Sequence, residues 1–202
     1  MLMYKLTTHE NTTQGGMKWE IGKTNVATGV GNDMCTDQLL HCYSDPYLAI
    51  VFCHIHLKID SPKLYLIECS EIVATNGLKY GCKEQTPIRE LVLPVLTKNQ
   101  YLAFGIKCAL AVNFGEKFVT WANGWLDGSD RSNFAATNFA FSPHNTDIVA
   151  KSAGCAAAAV FFGTLSYMRN TYAAEAAHYS VRADSSIDLK GIIGWVLENI
   201  KD

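Results

Sequence analysis

An α+β chain is predicted by three observations. Short β-branched and apolar runs bounded by turn residues occupy the first half, a capping box stands at residues 97–100, and alanine-rich or helically spaced apolar stretches fill the second half. The expected sheet is small and antiparallel or mixed, packed with an alanine-rich helical second half. With 202 residues, 49% of them hydrophobic, the chain can bury a sizeable core without a metal or disulfide staple. No internal repeat, low-complexity tract or linker interrupts it, so one domain over 1–202 is predicted, strand-rich over 1–96 and helical over 97–202.

Residues 3–8 read as the first strand, residues 11–16 as a turn with paired glycines, and Met17 to Ile21 as a second strand. The stretch from Gly22 to Asn32 reads as an exposed loop; Gly29-Val30-Gly31 lacks the third glycine of a dinucleotide fingerprint. Leu39 to Tyr43 is a short strand, and Asp45 followed by Pro46 opens a helix to about residue 54. Strands are expected at Lys63 to Cys69, Leu78 to Tyr80 and Ile88 to Leu93, the last closed by Pro94.

Thr97 and Gln100 form a capping box that opens a helix to about Val112, with Tyr101, Phe104, Cys108 and Val112 as its buried stripe. Residues 113–133 read as a loop carrying Trp121 and Trp125. A short helix over 133–141 ends before Pro143, and Asn145 or Thr146 caps a long helix from about Asp147 to Val181. Ser186 caps the last helix, whose Leu189, Ile192, Ile193, Val196, Leu197 and Ile200 follow the i, i+3, i+4 rule.

Charge excludes some functions. Lysine plus arginine total 17 against 19 acidic residues, which is neither a polycationic nucleic-acid footprint nor the density of a nucleic-acid mimic. The seven cysteines are odd in number, never spaced Cys-x-x-Cys, and mostly embedded in apolar runs, so they are expected to be reduced and mostly buried. The start lacks a secretory pattern, which makes the cytoplasm the expected location. The uncharged stretch between Lys151 and Arg169 is too short and too rich in alanine and glycine for a membrane span, and a buried helix is expected there.

Several polar groups carry possible chemistry. Cys35, His41, Cys42, Cys53, His54 and His56 are zinc-ligand types, but their spacing lacks paired ligands in both halves, and no metal is expected. A Cys-His nucleophile has no local signature. Asp127 and Asp130 around Gly128 lack the distal glutamate of a calcium loop; they read as turn residues, with Arg131 in a surface ion pair. Aromatic residues and arginine dominate binding hot spots, so Trp121, Trp125, Asp130 and Arg131 are the candidate contact surface, with His41 as a further contact.

The run Leu40 to Ala49, with Trp19 and the later Trp125 to Ser132, resembles an uncharacterised family of phage and prophage proteins over most of the chain. That resemblance implies a viral accessory protein in the host cytoplasm, engaging host machinery such as a defence protein. The first hundred residues more loosely resemble the ADP-ribosyltransferase layout. In that layout a histidine or arginine on the first strand holds the NAD ribose, a tyrosine or serine follows on another strand, and a late-strand glutamate polarises the acceptor. Tyr43 and Glu90 match the last two by position, whereas the first strand offers Tyr4 and Lys5 and no histidine or arginine before His9. The expected function is therefore a non-catalytic binding protein that inhibits or sequesters a host protein or a nucleotide-like ligand, without cofactor. An NAD-using transferase and an oligomeric structural component are the alternatives, and neither direct nucleic-acid nor membrane binding is expected.

Overall fold

Strands and helices separate along the chain as the patterning predicts, in an α+β arrangement with antiparallel sheets and seven helices among the described residues. The structure is a computed structural model, and it describes residues 1–56, 59, 61–112, 115–140 and 147–201, apart from the side chain of Gln14. Two units divide at the point where strands give way to helices, Met1–Val95 and Leu96–Asp202.

In the first unit, β1 (Leu2–Thr7), β4 (Lys63–Cys69), β7 (Glu84–Leu91) and β2 (Asn25–Val26) form one sheet in the order β1-β4-β7-β2. A second sheet has the order β3-β6-β5, from β3 (Leu40–Cys42), β6 (Tyr80–Cys82) and β5 (Ile72–Thr75). Reciprocal backbone hydrogen bonds of 2.9 Å between Tyr4 and Tyr43 tie β1 to the end of β3. In β1–β4 register Met3 faces Ile67 and Lys5 faces Tyr65. Side chains alternate across a strand, so these residues and Cys69 share one face, while Leu6 and Leu64 are buried on the other. Helix α1 (Pro46–His56) starts as expected, with Asp45 Oδ1 accepting from the backbone N–H of Tyr47 at 2.8 Å.

Three strand expectations need correction. Met17 to Ile21 forms no strand; Thr12 and Lys18 make an isolated bridge instead. β6 lies two residues later than expected. β7 begins at Glu84, and Pro87 is accommodated where the β4–β7 register shifts between Leu66 and Ile67, a bulge that needs no donor from it.

Among its described residues the second unit contains six helices: α2 (Lys98–Ala111), α3 (Glu116–Asp127), α4 (Asn133–Ala140), α5 (Ile148–Phe161), α6 (Ser166–Ala183) and α7 (Leu189–Asn199). The capping box is present at α2: Thr97 Oγ1 accepts from the Gln100 N–H at 3.3 Å, and Gln100 Oε1 accepts from the Thr97 N–H at 3.0 Å. α2 is buried nearly all round, including Leu102, Ala103 and Ile106, so it is the centre of its unit and not a one-striped surface helix.

The expected long helix is two. Phe162 ends α5, and Gly163 makes a turn in which a Cβ would lie 2.9 Å from the Val160 carbonyl oxygen. Asp147 caps α5 by accepting from the Ala150 N–H at 2.7 Å; the alternative caps Asn145 and Thr146, like Pro143, lie outside the described residues. Asp188 caps α7, not Ser186, whose N–H and hydroxyl both bind Asp184. Among the described residues, no helix is long and apolar enough to cross a membrane.

Candidate functional site

The segment expected as an exposed aromatic loop is the helix α3. Its apolar residues Phe118, Trp121, Ala122 and Trp125 repeat at helical spacing and are buried. Gly128, at φ 85°, supplies the left-handed residue that ends the helix. Asp127 and Asp130 then accept from the N–H groups two residues on, Ser129 at 2.8 Å and Ser132 at 2.9 Å, as turn aspartates do. Hydrogen bonding from the Ser129 and Ser132 side chains, and then from their backbone N–H groups, holds the two carboxyls below the usual carboxylate range.

The candidate contact residues part company here. Trp125 is 1% exposed and packs as core. Among the described residues Arg131 makes no ion pair within 4 Å; its guanidinium lies 5.0 Å from the centre of the Trp125 ring, and Nε donates to the Trp125 carbonyl oxygen at 3.2 Å. Trp121 and Asp130, by contrast, line a cavity of about 680 Å³ between α3 and α4, with Lys117, Thr120, Asn138 and Phe139. Phe118, Trp121 and Phe139 form an aromatic cluster with centroids 5.4–5.5 Å apart. Trp121 Nε1 is buried without a hydrogen-bond partner among the described residues. Lys117, Asn138 and Phe139 were missed because the pocket is assembled from two helices, one of which reads as a loop.

In the strand-rich unit, the zinc-type residues do not converge as a group. His41 Nε2 accepts from the Cys35 N–H at 3.1 Å, and burial, followed by the charge of Lys79, holds its ring down to about 4. Cys42 meets Cys69 and Cys82 instead. Their sulfurs all lie within 4.8 Å of one another, with Cys42 and Cys69 3.6 Å apart, and all three side chains are buried. The thiols also approach carbonyl oxygens, Cys42 that of Tyr80 at 3.7 Å and Cys82 that of Glu84 at 3.4 Å.

The fully buried Gln85 donates from Nε2 to Cys82 Sγ at 3.2 Å and leaves its own Oε1 without a partner. Cys82 is the thiol most disposed to ionise, because Cys42 and Cys69, and then Gln85, hydrogen-bond to it; the same bonding pushes Cys42 up. Lys5 is buried beside them, donating to the His41 carbonyl oxygen at 2.8 Å and lying 4.2 Å over the Trp19 ring, and burial lowers its ammonium to about 8.

The transferase pair does not form one cleft. Tyr43 bridges to Tyr4, Tyr4 faces Leu66, and Leu66 faces Arg89, so Glu90 stands three strands away, roughly 14 Å across the sheet at about 4.8 Å per strand. Tyr43 is buried, with its hydroxyl 3.2 Å from His56 Nδ1. Glu90 accepts from the Tyr65 hydroxyl at 3.3 Å and lies 4.0 Å from the Lys63 ammonium. Comparison of the chain with protein-family profiles, curated proteins and solved structures returns no match.

Proposed function

We propose that this chain is a non-catalytic binding protein that sequesters a small nucleotide-like ligand in the cavity between α3 and α4. The observation that carries this reading is the make-up of that cavity. At about 680 Å³ it falls in the range of small-molecule sites, and Trp121 and Phe139 supply aromatic surface with Lys117, Asp130 and Asn138 around it. Stacking of a base on an aromatic side chain contributes about 1–3 kcal/mol and tolerates any base. Lys117 offers a point charge for a phosphate, while Asn138 and Asp130 offer a donor and acceptors for sugar or base edges. Leaving the Trp121 N–H buried and unpaired costs about 1–3 kcal/mol, which a small ring rotation toward a ligand acceptor relieves.

In the phage setting that the resemblance implies, capture itself is the activity: a host nucleotide or nucleotide signal is withdrawn from solution. A host protein is the second reading, favoured by Phe134, which is 82% exposed on α4 next to the cavity residue Ala135.

Native mass spectrometry of the freshly purified chain, followed by titration with AMP, ATP and NAD under tryptophan fluorescence, tests the proposal. A retained mass of nucleotide size, or saturable quenching that Trp121→Phe and Lys117→Ala each weaken, supports it. No retained mass and no quenching by any of the three nucleotides sinks it and leaves Phe134 as the feature to pursue.

A further inference from the structure

We propose that Cys42, Cys69 and Cys82 form a tris-thiolate site for a soft metal ion, Cu(I), in the core of the strand-rich unit. It is separate from the ligand cavity and does not rest on that reading. The three thiols come from three strands, β3, β4 and β6, of two sheets, and they meet on the face that also carries Met3 and Ile67. A metal–sulfur bond of about 2.3 Å sets sulfurs about 3.8 Å apart around a tetrahedral ion and about 4.0 Å apart around a trigonal one. The Cys42–Cys69 separation of 3.6 Å and the 4.8 Å limit on all three pairs bracket those values, so rotation about the side-chain bonds suffices to close on an ion.

Two further observations point to a ligand. Gln85 is fully buried with its Nε2 on the Cys82 sulfur and its Oε1 unpaired, a polar group placed at the site whose bonding is incomplete. An N–H donated to a coordinating sulfur is the second contact that orients and tunes such ligands. Lys5 is 7% exposed, and among the described residues no acidic side chain lies within ion-pair distance of it. Buried cations require an opposite charge. Three thiolates around a monovalent ion carry a net charge of −2, which the Lys5 ammonium beside the thiols offsets in part.

The donor set selects the ion. Thiolates with a neighbouring thioether, that of Met3, favour Cu(I), whereas a structural zinc ion requires four ligands of sulfur or nitrogen type. Binding replaces each thiol proton by a bond to the ion, releasing up to three protons with no change of oxidation state.

The test uses the full chain, reduced and kept anaerobic, titrated with the acetonitrile complex of Cu(I) and separately with Zn(II), and read by native mass spectrometry and chelator competition. One Cu(I) per chain, held about 100-fold or more less tightly by Cys42→Ser, Cys69→Ser and Cys82→Ser but unchanged in Cys108→Ser, is the expected result. Should the triad variants fail to fold, cysteine alkylation of the wild-type chain in mild denaturant decides: bound Cu(I) must protect those three cysteines and leave Cys108 reactive. Absence of stoichiometric Cu(I), tighter retention of Zn(II) than of Cu(I), or equal loss in Cys108→Ser overturns the proposal.

Discussion

Arg131 closes the end of α3 on Trp125, its guanidinium 5.0 Å from the ring centre and its Nε donating to the Trp125 carbonyl oxygen at 3.2 Å. The contact gives the Trp125 carbonyl oxygen, which also accepts from the Gly128 N–H at 3.3 Å, a second donor and lays a cation on an aromatic face. Replacing Arg131 with alanine is expected to lower stability by about 1 kcal/mol, with Arg131→Lys recovering less than half because it lacks the planar fork. Urea unfolding followed by circular dichroism measures this, and equal stability of all three proteins would contradict it.

Trp125 lies on the same helix face as Trp121, four residues away, yet their roles differ. Trp125 is core and does not line the cavity. Trp125→Ala is therefore expected to cost about 3–5 kcal/mol. Under conditions where the variant remains folded, nucleotide affinity should stay within about threefold of wild type, whereas Trp121→Ala should lose about tenfold or more. Calorimetric titration distinguishes the two; loss of affinity in both would move the site toward Trp125.

Local chemistry was the legible part of the sequence. Lys63–Cys69 is a strand because an apolar run lies between turn residues, and Thr97 with Gln100 opens α2 because both caps lie within four residues. Where a tertiary arrangement decided the outcome, the pattern misled. Pro87 masked the first half of β7, since only pairing with β4 reveals the bulge that accommodates it. Gly163 stood in plain view inside the alanine-rich run, but a lone glycine is compatible with helix until the Val160 carbonyl oxygen occupies the space of a Cβ. The thiol cluster was illegible for a similar reason. Cys42, Cys69 and Cys82 are separated by 26 and 12 residues, and strand register, not spacing, brings them together.

Close helix packing gives a paired prediction from two glycines. A Cβ on Gly105 of α2 would lie 3.1 Å from Ala173 Cα in α6, a backbone atom that cannot swing aside. A Cβ on Gly194 of α7 meets nothing within 4 Å. Alanine is the better helix former by about 1 kcal/mol, so Gly194→Ala is expected to stabilise by up to that amount. Gly105→Ala should instead destabilise by about 1–2 kcal/mol, crowding outweighing propensity. Opposite signs in thermal unfolding are the expected outcome; two stabilised variants would show that α2 and α6 are less closely apposed.

His178 provides the pH dependence. Burial, and then the charge of Arg182 one turn on, hold its imidazole below the usual histidine value, and its Nδ1 is buried without a partner. The unfolded chain therefore takes up a proton at a higher pH than the folded one does. Stability from this residue is complete above about pH 6.5 and falls as the pH drops below it, because the unfolded state then binds more protons. A whole proton of difference gives about 1.4 kcal/mol per pH unit; His178 is half-buried, so its slope should be a fraction of that. His178→Gln, which keeps a polar side chain but does not titrate, should flatten the decline between pH 6.5 and 5. Urea midpoints across that interval provide the comparison, and identical slopes for wild type and variant would assign the acid sensitivity to another group.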